Sequence, residues 1–211
     1  MVEIREKLQT ALNELRADAK ERKFDQTVDL IINLQKFNVK KDVINLFVNV
    51  PYKIKDKKVA GFLETKSEFV DTITPEQFKK YHDKKLVKKL VDKYDFFIAQ
   101  ASLMPKVAST FGRVLGPAGK MPSPQQGIIV NADEKTISEL KGKINTGLKI
   151  RTKEASIKLS AGKQSMKDEE IIENAETIIN MIEKALPRNL ENIKNIEIKF
   201  TMSKPKKIQV R

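Results

Sequence analysis

The chain has 211 residues, with 41 lysines and arginines against 28 aspartates and glutamates, so its formal net charge is +13. Apolar residues make up 40% and charged residues 33%, a composition typical of a folded protein. No apolar run approaches the roughly 18 residues that a membrane span needs, which excludes a transmembrane protein. With no cysteine, a disulfide framework, a thiolate metal site and a cysteine nucleophile are excluded. The polar start, without an apolar signal region, predicts an intracellular protein.

The excess of positive charge indicates a polyanionic partner. Lysine and arginine side chains that neutralise phosphates release condensed counterions, and this release supplies most of the non-specific affinity for nucleic acid. The alternative is a lysine-rich solvated surface of the kind that thermophile proteins often have. Composition favours nucleic acid and leaves the second explanation open.

The first part of the chain alternates between helical and extended periodicity. Its predicted elements are, in order, a helix over 2–22 and strands over 27–34 and 42–50. The loop between the two strands carries Lys36, Lys40 and Lys41. Pro51 and the charged segment 53–58 are typical of a linker.

The middle part has a different pattern of predicted elements, in which short apolar strands alternate with helices. The predicted strands are 59–63, 96–99 and 127–130, and the predicted helices are 75–93, 104–114 and 134–140. Apolar strands separated by helices favour a mostly parallel sheet that is covered on both faces.

The last part returns to two-residue periodicity around one long helix. Its predicted elements are strands over 149–151 and 155–159, a loop ending at Gly162-Lys163, a helix over 168–186 and strands over 193–200 and 206–210. We therefore predict an α/β protein of two domains. Residues 1–57 and 155–211 form a discontinuous α+β domain, and residues 58–154 form an inserted α/β domain.

The sequence lacks the residue motifs that are typical of catalytic and nucleotide-binding sites. The lone His82 stands in a basic stretch without a second ligand at metal-binding spacing, so a surface histidine is the better interpretation. Gly119-Lys120, Gly142-Lys143 and Gly162-Lys163 lack both the opening glycine of a phosphate loop and the serine or threonine after the lysine. No GxGxxG motif follows the first strand of the insert. We predict no enzyme, no cofactor and no metal. The rival prediction is an enzyme that holds a phosphorylated ligand on the glycine- and proline-rich segment described next.

That segment is Thr110–Gly127, with the sequence TFGRVLGPAGKMPSPQQG. Four glycines and three prolines in it predict a long, stiffened loop between a helix and a strand, and such loops are usually functional. The alternative is a plain surface connector.

The same segment resembles a known family. FGRVLGPAGKMPSP is similar to the signature of the first large-subunit ribosomal protein, the protein of the ribosome's mobile side stalk. Residues 23–29 (KFDQTVD) resemble the family's KFDxTV opening, and Thr201-Met202-Ser203 falls where the family has Thr-Met-Gly. The length and the Ala-Gly-Lys-Met version of the signature resemble archaeal members. The signature residues are Phe111, Gly112, Arg113, Gly116, Pro117, Gly119, Lys120 and Pro122.

The resemblance implies a fold and a function. The discontinuous domain would be a split β-α-β unit similar to RNA-recognition folds, and the insert would be a Rossmann-like, three-layer αβα domain that binds no nucleotide. The protein would bind large-subunit rRNA at the stalk, next to the exit site of tRNA, and would also bind its own mRNA and repress translation. It would be a monomer when free and cytoplasmic on the ribosome, where departing tRNA would be a further partner.

The expected RNA-binding residues lie in the first domain or beside it. An extended segment that begins at Lys23 would place Lys23, Asp25 and Thr27 on one face, which suits phosphates and 2′-hydroxyl groups. Phe24 is either a core aromatic residue, by its alternation, or an RNA contact, by the resemblance. For each single lysine a solvated charge is the alternative. The complete expected set is Lys23, Phe24, Asp25, Thr27, Lys36, Lys40, Lys41, Arg151, Lys153, Lys158, Lys163, Thr201, Met202 and Ser203.

Overall fold

A computed structural model describes most of the chain. The described residues are 2–20, 22–39, 41–124, 127–130, 133–152 and 154–208. The predicted site residues Lys40 and Lys153 lie outside them, as does the end of the strand predicted over 206–210. The side chain of His82 is also outside the description. No helix of the described residues is both long enough and apolar enough to cross a membrane.

The described residues contain both helices and strands. The α-helices are α1 (Val2–Asp18), α2 (Lys84–Lys93), α3 (Met104–Ala118), α4 (Glu134–Thr146) and α5 (Asp168–Ala185). The strands are β1 (Thr27–Leu34), β2 (Asn45–Asn49), β3 (Val59–Phe62), β4 (Asp71–Ile73), β5 (Phe96–Gln100), β6 (Ile128–Ile129), β7 (Gly147–Arg151), β8 (Ser156–Lys163), β9 (Ile193–Phe200) and β10 (Lys206–Ile208). The mixed α/β class predicted from the sequence is confirmed.

The chain divides into two compact units. Unit 1 comprises Met1–Ile54 and Thr146–Arg211, and unit 2 comprises Lys55–Asn145. The sequence assigns residues 55–57 to the first domain and residues 146–154 to the insert, whereas residues 55–57 belong to unit 2 and the described residues among 146–154 to unit 1. The reason for the second difference is that β7 pairs antiparallel with β2, from Asn45 opposite Arg151 to Asn49 opposite Gly147.

Unit 1 is built on a four-stranded antiparallel sheet with the order β10-β9-β1-β8. Since β8 and β9 both run antiparallel to β1, they are parallel to each other, and α5 connects them across β1. The strand β1 shows why the sheet has two different faces. Val28, Leu30, Ile32 and Leu34 are buried in the core, while the alternate side chains are only half-buried.

The core of unit 1 lies on one face of this sheet. Helix α1 contributes Leu8, Leu12 and Leu15, which are fully buried at the spacing of one helical face. Helix α5 adds an isoleucine stripe to the same cluster, namely Ile171, Ile172, Ile178, Ile179 and Ile182. The opposite face of the sheet carries mostly polar side chains and is the open face of unit 1.

Unit 2 is built on a parallel sheet with the order β4-β3-β5-β6. All four residues of β3 are buried, as expected for a strand covered on both faces. Ala60 and Phe62 belong to one apolar cluster and Val59 to a second. In the first cluster the rings of Phe62 and Phe111 lie 4.9 Å apart, centroid to centroid.

The predicted helix over 75–93 is wrong as a single element. Pro75–His82 is a 3-10 segment that contains a non-helical residue, Tyr81, and α2 begins only at Lys84. The break falls at Asp83, whose extended backbone ends the first segment. Its carboxylate accepts a hydrogen bond from the Lys85 N–H at 2.9 Å and so caps α2.

The loop predicted over Thr110–Gly127 is also wrong in its first half. Helix α3 continues to Ala118, because Phe111 and Leu115 extend the apolar spacing that begins at Val107. The helix ends at Gly119, which takes the left-handed conformation (φ 70°) that favours glycine. Helical periodicity therefore outweighed the glycine and proline content of the segment.

Other bounds also differ from the predictions. The helix predicted over 2–22 ends at Asp18, and the helix predicted to end at residue 140 continues to Thr146. The strand predicted over 155–159 continues to Lys163 because its pairing with β1 extends to Thr27, so Gly162-Lys163 is strand and not loop. The edge strand β4 was not predicted, since three residues are too short to show periodicity.

Candidate nucleic-acid interface

The tripeptide Thr201-Met202-Ser203 forms a tight turn after β9. The Thr201 N–H donates to the Thr27 carbonyl at 3.0 Å, and the Thr201 hydroxyl accepts from the Thr27 N–H at 3.1 Å. The Ser203 hydroxyl accepts from the Phe200 N–H at 2.8 Å. Both hydroxyls are thus engaged in holding the turn, whereas the Met202 side chain is 61% exposed.

A buried glutamine, Gln26, holds this turn by a side-chain hydrogen bond. Only 3% of Gln26 is exposed. Its side-chain oxygen accepts a hydrogen bond from the Met202 N–H at 3.1 Å, and its amide nitrogen donates to the side-chain oxygen of Gln164 at 3.2 Å. Sequence reasoning placed Gln26 on the face away from RNA and gave it no role. Its position between Asp25 and Thr27 in the sequence carried no signal of these hydrogen bonds.

Asp25 ties the segment before β1 to the loop after β8. Its carboxylate accepts hydrogen bonds from the Ser165 N–H at 3.1 Å and from the Ser165 hydroxyl at 2.9 Å, and Lys163 Nζ lies 3.5 Å away. Partial burial acts to raise the pKa of Asp25, but the hydrogen bonds from Ser165 and the charge of Lys163 outweigh it, so the pKa is lowered from 3.8. The negative charge of Asp25 is therefore already satisfied within the protein.

Lys23 and Phe24 lie in a bend and not in a strand. The alternation predicted from Lys23 onward is wrong, because the strand begins at Thr27, opposite Lys163, and the preceding residues have no ladder partner. Phe24 is 52% exposed, so its interpretation as a core aromatic residue is also wrong. Its ring is available at the surface near the turn.

The structure separates the predicted site residues into two groups at opposite ends of the unit 1 sheet. We call the end marked by Thr27 and Phe200 the turn end, and the end marked by Leu34 and Ile193 the far end. The eight strand residues of β1 separate them by roughly 23 Å. The turn end holds Lys23, Phe24, Asp25, Thr27, Lys163, Thr201, Met202 and Ser203. The far end holds Lys36, Lys41 and Arg151, and Lys158 lies between the ends, opposite Ile31.

The open face of the sheet between these ends has its own charges. Lys199 lies opposite Asp29 in the pairing of β9 with β1. Burial raises the pKa of Asp29, although the nearby charge of Lys199 works in the opposite direction. Lys158 is exposed and lies 3.9 Å from Glu154, a weak surface ion pair. Lys199 was not among the predicted residues because strand alternation alone does not say which face stays open.

Two of the signature residues, Phe111 and Lys120, stabilise the fold of unit 2. Phe111 is fully buried in the aromatic cluster. Lys120 Nζ donates to the carbonyls of Val91 and Tyr94, at 2.7 and 2.9 Å, and so caps the end of α2. The ammonium group that a phosphate loop would offer to a ligand is thus used within the fold. The described residues also contain no cluster of three or more potential metal ligands.

Comparison with known proteins identifies the class of the chain. A model of the "Ribosomal protein L1p/L10e family" matches residues 15–204. This match covers most of the chain and both units, so the class is that of the ribosomal proteins. The chain belongs to the ribosomal protein L1 family, and the resemblance seen in the sequence is confirmed.

Archaeal relatives agree with this assignment. The large ribosomal subunit protein uL1 of Methanothermococcus thermolithotrophicus is 33% identical over 97% of this chain and 99% of its own length. The uL1 of Methanococcus voltae is 36% identical over 93% and 94%, and that of Nanoarchaeum equitans is 33% identical over 88% and 92%. The prediction of an archaeal type is confirmed. The prediction that the chain is no enzyme is confirmed as well, and the rival prediction of a phosphoryl-ligand enzyme is wrong.

Proposed function

We propose that the chain is a structural protein of the large ribosomal subunit that binds large-subunit rRNA through the turn end of unit 1. The observation that carries the proposal is the geometry of Met202, which is 61% exposed on a turn that Gln26 and Thr27 hold by hydrogen bonds. An apolar side chain fixed in this way fits a shape-selective contact with RNA sugars and bases. Lys23 and the exposed Phe24 precede Gln26 in the sequence and would add to the same surface.

The domain description implied by the resemblance is part of the proposal. Unit 1 would be the split β-α-β domain, since α5 connects two parallel strands that flank β1. Unit 2 would be the Rossmann-like insert, since its parallel strand order β4-β3-β5-β6 is that of a doubly wound sheet. The cationic residues of the far end would add long-range attraction for phosphates, screened beyond about 8–10 Å.

The cellular setting follows from the family resemblance. The protein would act in the cytoplasm on the ribosome, at the mobile stalk next to the exit site of tRNA, and would be a monomer when free. The same surface would bind a similar structure in the protein's own mRNA. Because one surface cannot hold two RNAs at once, repression of translation would begin when rRNA sites are filled.

A matched pair of substitutions tests the RNA contact. Met202→Asp places a carboxylate next to phosphates at the turn end, whereas Met181→Asp changes an exposed methionine, 40% accessible, in the second half of α5. We expect Met202→Asp to weaken binding of a large-subunit rRNA fragment by about 1–3 kcal/mol, the range of a lost specific contact.

Met181→Asp should change the affinity only slightly, because α5 ends near the far end of the sheet, where β9 begins. Circular dichroism checks that both variants are folded. Equal losses in the two folded variants would remove the turn from the interface.

A further inference from the structure

A cavity of about 370 Å³ opens beside Met202 in unit 1. It lies between the end of α1, the segment leading into β1 and the turn after β9. Its apolar part is formed by Leu15 and Ala19, and the buried Gln26 lines it as well. The cationic residues of its lining are Lys20, Arg22 and Lys204.

The charge of the cavity points to an anionic ligand. Within the part of the chain that the structure describes, none of its three cationic side chains forms an ion pair. Among the described residues of the lining, the one carboxylate is that of Asp18, which is 2.9 Å from Lys206 Nζ and is thereby neutralised. Three uncompensated positive charges around one cavity repel each other, and a phosphate group would relieve that repulsion.

The size and the lining narrow the class of ligand further. A volume of 370 Å³ is near the lower end of the range for small-molecule sites, about 300–1,000 Å³, so the cavity has room for one compact group and not for a helix. A ligand that combines an anionic part with a flat apolar part matches both halves of the lining. A single nucleotide has this combination.

We propose that the cavity receives one unpaired nucleotide of the bound RNA. Its phosphate would contact Lys20, Arg22 and Lys204, and its base would lie over Ala19 and against Met202. Extruding a base from a stacked helix costs free energy, so the cavity would select RNA in which that nucleotide is already bulged or in a loop. This inference rests on the proposed RNA-binding function, and it names the element of the RNA that is recognised.

The experiment replaces each unpaired base of an rRNA fragment in turn with the fluorescent base 2-aminopurine and adds the full-length protein. We expect the fluorescence to change strongly at one position, because a base in the cavity leaves its stacked neighbours. Ala19→Leu, which narrows the apolar side of the cavity and leaves its charge unaltered, should suppress that change and weaken the affinity about tenfold or more. Absence of any such position with the wild-type protein would overturn the proposal.

Two double variants control for the possibility that Ala19→Leu does not fold. Arg22→Gln with Lys204→Gln removes two charges of the cavity, and Lys184→Gln with Lys194→Gln removes two exposed charges near the far end. The double variant at Arg22 and Lys204 should suppress the fluorescence change, whereas the double variant at Lys184 and Lys194 should preserve it. Equal behaviour of the two pairs would refute a nucleotide in the cavity.

Two further outcomes separate this inference from the function on which it rests. If the wild-type protein fails to bind the rRNA fragment, the proposed function itself fails. If it binds and Met202→Asp weakens the complex while Ala19→Leu has no effect, only the cavity proposal fails. Titration with nucleoside monophosphates completes the test, because free nucleotides that bind as tightly as the RNA would overturn the assignment to an RNA-borne nucleotide.

Discussion

Replacing Gln26 by leucine removes the hydrogen bonds that hold the turn and leaves the side chains of the turn itself unchanged. Leucine is close to glutamine in size, so the buried space stays filled, but both side-chain hydrogen bonds are lost. The Met202 N–H loses its acceptor at 3.1 Å, and the side-chain oxygen of Gln164 loses its donor at 3.2 Å. The side chains that we expect to touch RNA are all still present in this variant.

The expected decrease in the free energy of unfolding follows from the loss of these two hydrogen bonds. A hydrogen bond within a protein contributes about 0.5–1.5 kcal/mol net, so the loss of two predicts a decrease of about 1–3 kcal/mol in the free energy of unfolding. Gln26→Glu keeps an acceptor for the Met202 N–H, but it buries a carboxylate at a position that is 3% exposed, so it should also lower the free energy of unfolding. RNA affinity should fall about tenfold in Gln26→Leu, and the added carboxylate of Gln26→Glu should lower it as well.

Gln35→Leu is the matched control. Gln35 also donates from its side chain, at 3.1 Å to the carbonyl of Glu191 and at 3.5 Å to that of Ile193, but it does so at the far end. Urea unfolding measures stability, amide hydrogen exchange measures the protection of the Met202 N–H, and RNA titration measures affinity. We expect both leucine variants to lose stability and only Gln26→Leu to lose amide protection and RNA affinity.

Two results would refute the reasoning about Gln26. Unchanged exchange of the Met202 amide in Gln26→Leu would show that the hydrogen bond does not hold the turn. Equal losses of RNA affinity in Gln26→Leu and Gln35→Leu would show that affinity follows general stability and not the position of Met202.

Three further predictions concern stability. Gly162→Ala should lower the free energy of unfolding by about 1–3 kcal/mol in urea, because its Cβ would lie 2.9 Å from Ile171 Cγ1 in the core. Phe111→Ala should cost about 3–5 kcal/mol, seen in urea as earlier unfolding of unit 2, because it empties the centre of the aromatic cluster. Asp25→Asn should be less stable than wild type at pH 7, and thermal unfolding should show this difference vanishing as the pH falls through the lowered pKa of Asp25, below 3.8.

The sequence predicted the apolar framework well because periodicity reports directly on burial. The bounds of β1 and β9 agree with the predictions, since β1 alternates between core and open face over all eight residues and β9 does so from Ile196 to Phe200. Residues 110–118 were misjudged because glycine and proline were given more weight than the spacing of Phe111 and Leu115. A helix tolerates Gly112 and Gly116 where, as here, an added Cβ would meet nothing within 4 Å.

The candidate site was predictable only in part. The resemblance located Thr201-Met202-Ser203, but periodicity could not show that the hydroxyls of Thr201 and Ser203 bond to the protein's own backbone. Gln26 was missed because its partners, Met202 and Gln164, are 176 and 138 residues away in the sequence. Contacts between such distant residues leave no periodic trace in a single sequence.

The pairing of Thr27 with Thr201 has a consequence for the time at which the protein becomes active. These residues are 174 positions apart, so the turn end cannot form before β9 and the turn have left the ribosome that synthesises the chain. A nascent chain that has completed unit 2 but not β9 would lack the turn that carries Met202. We therefore expect only molecules that have completed β9 and the turn to compete for RNA, and unfinished or truncated chains to be inactive in binding.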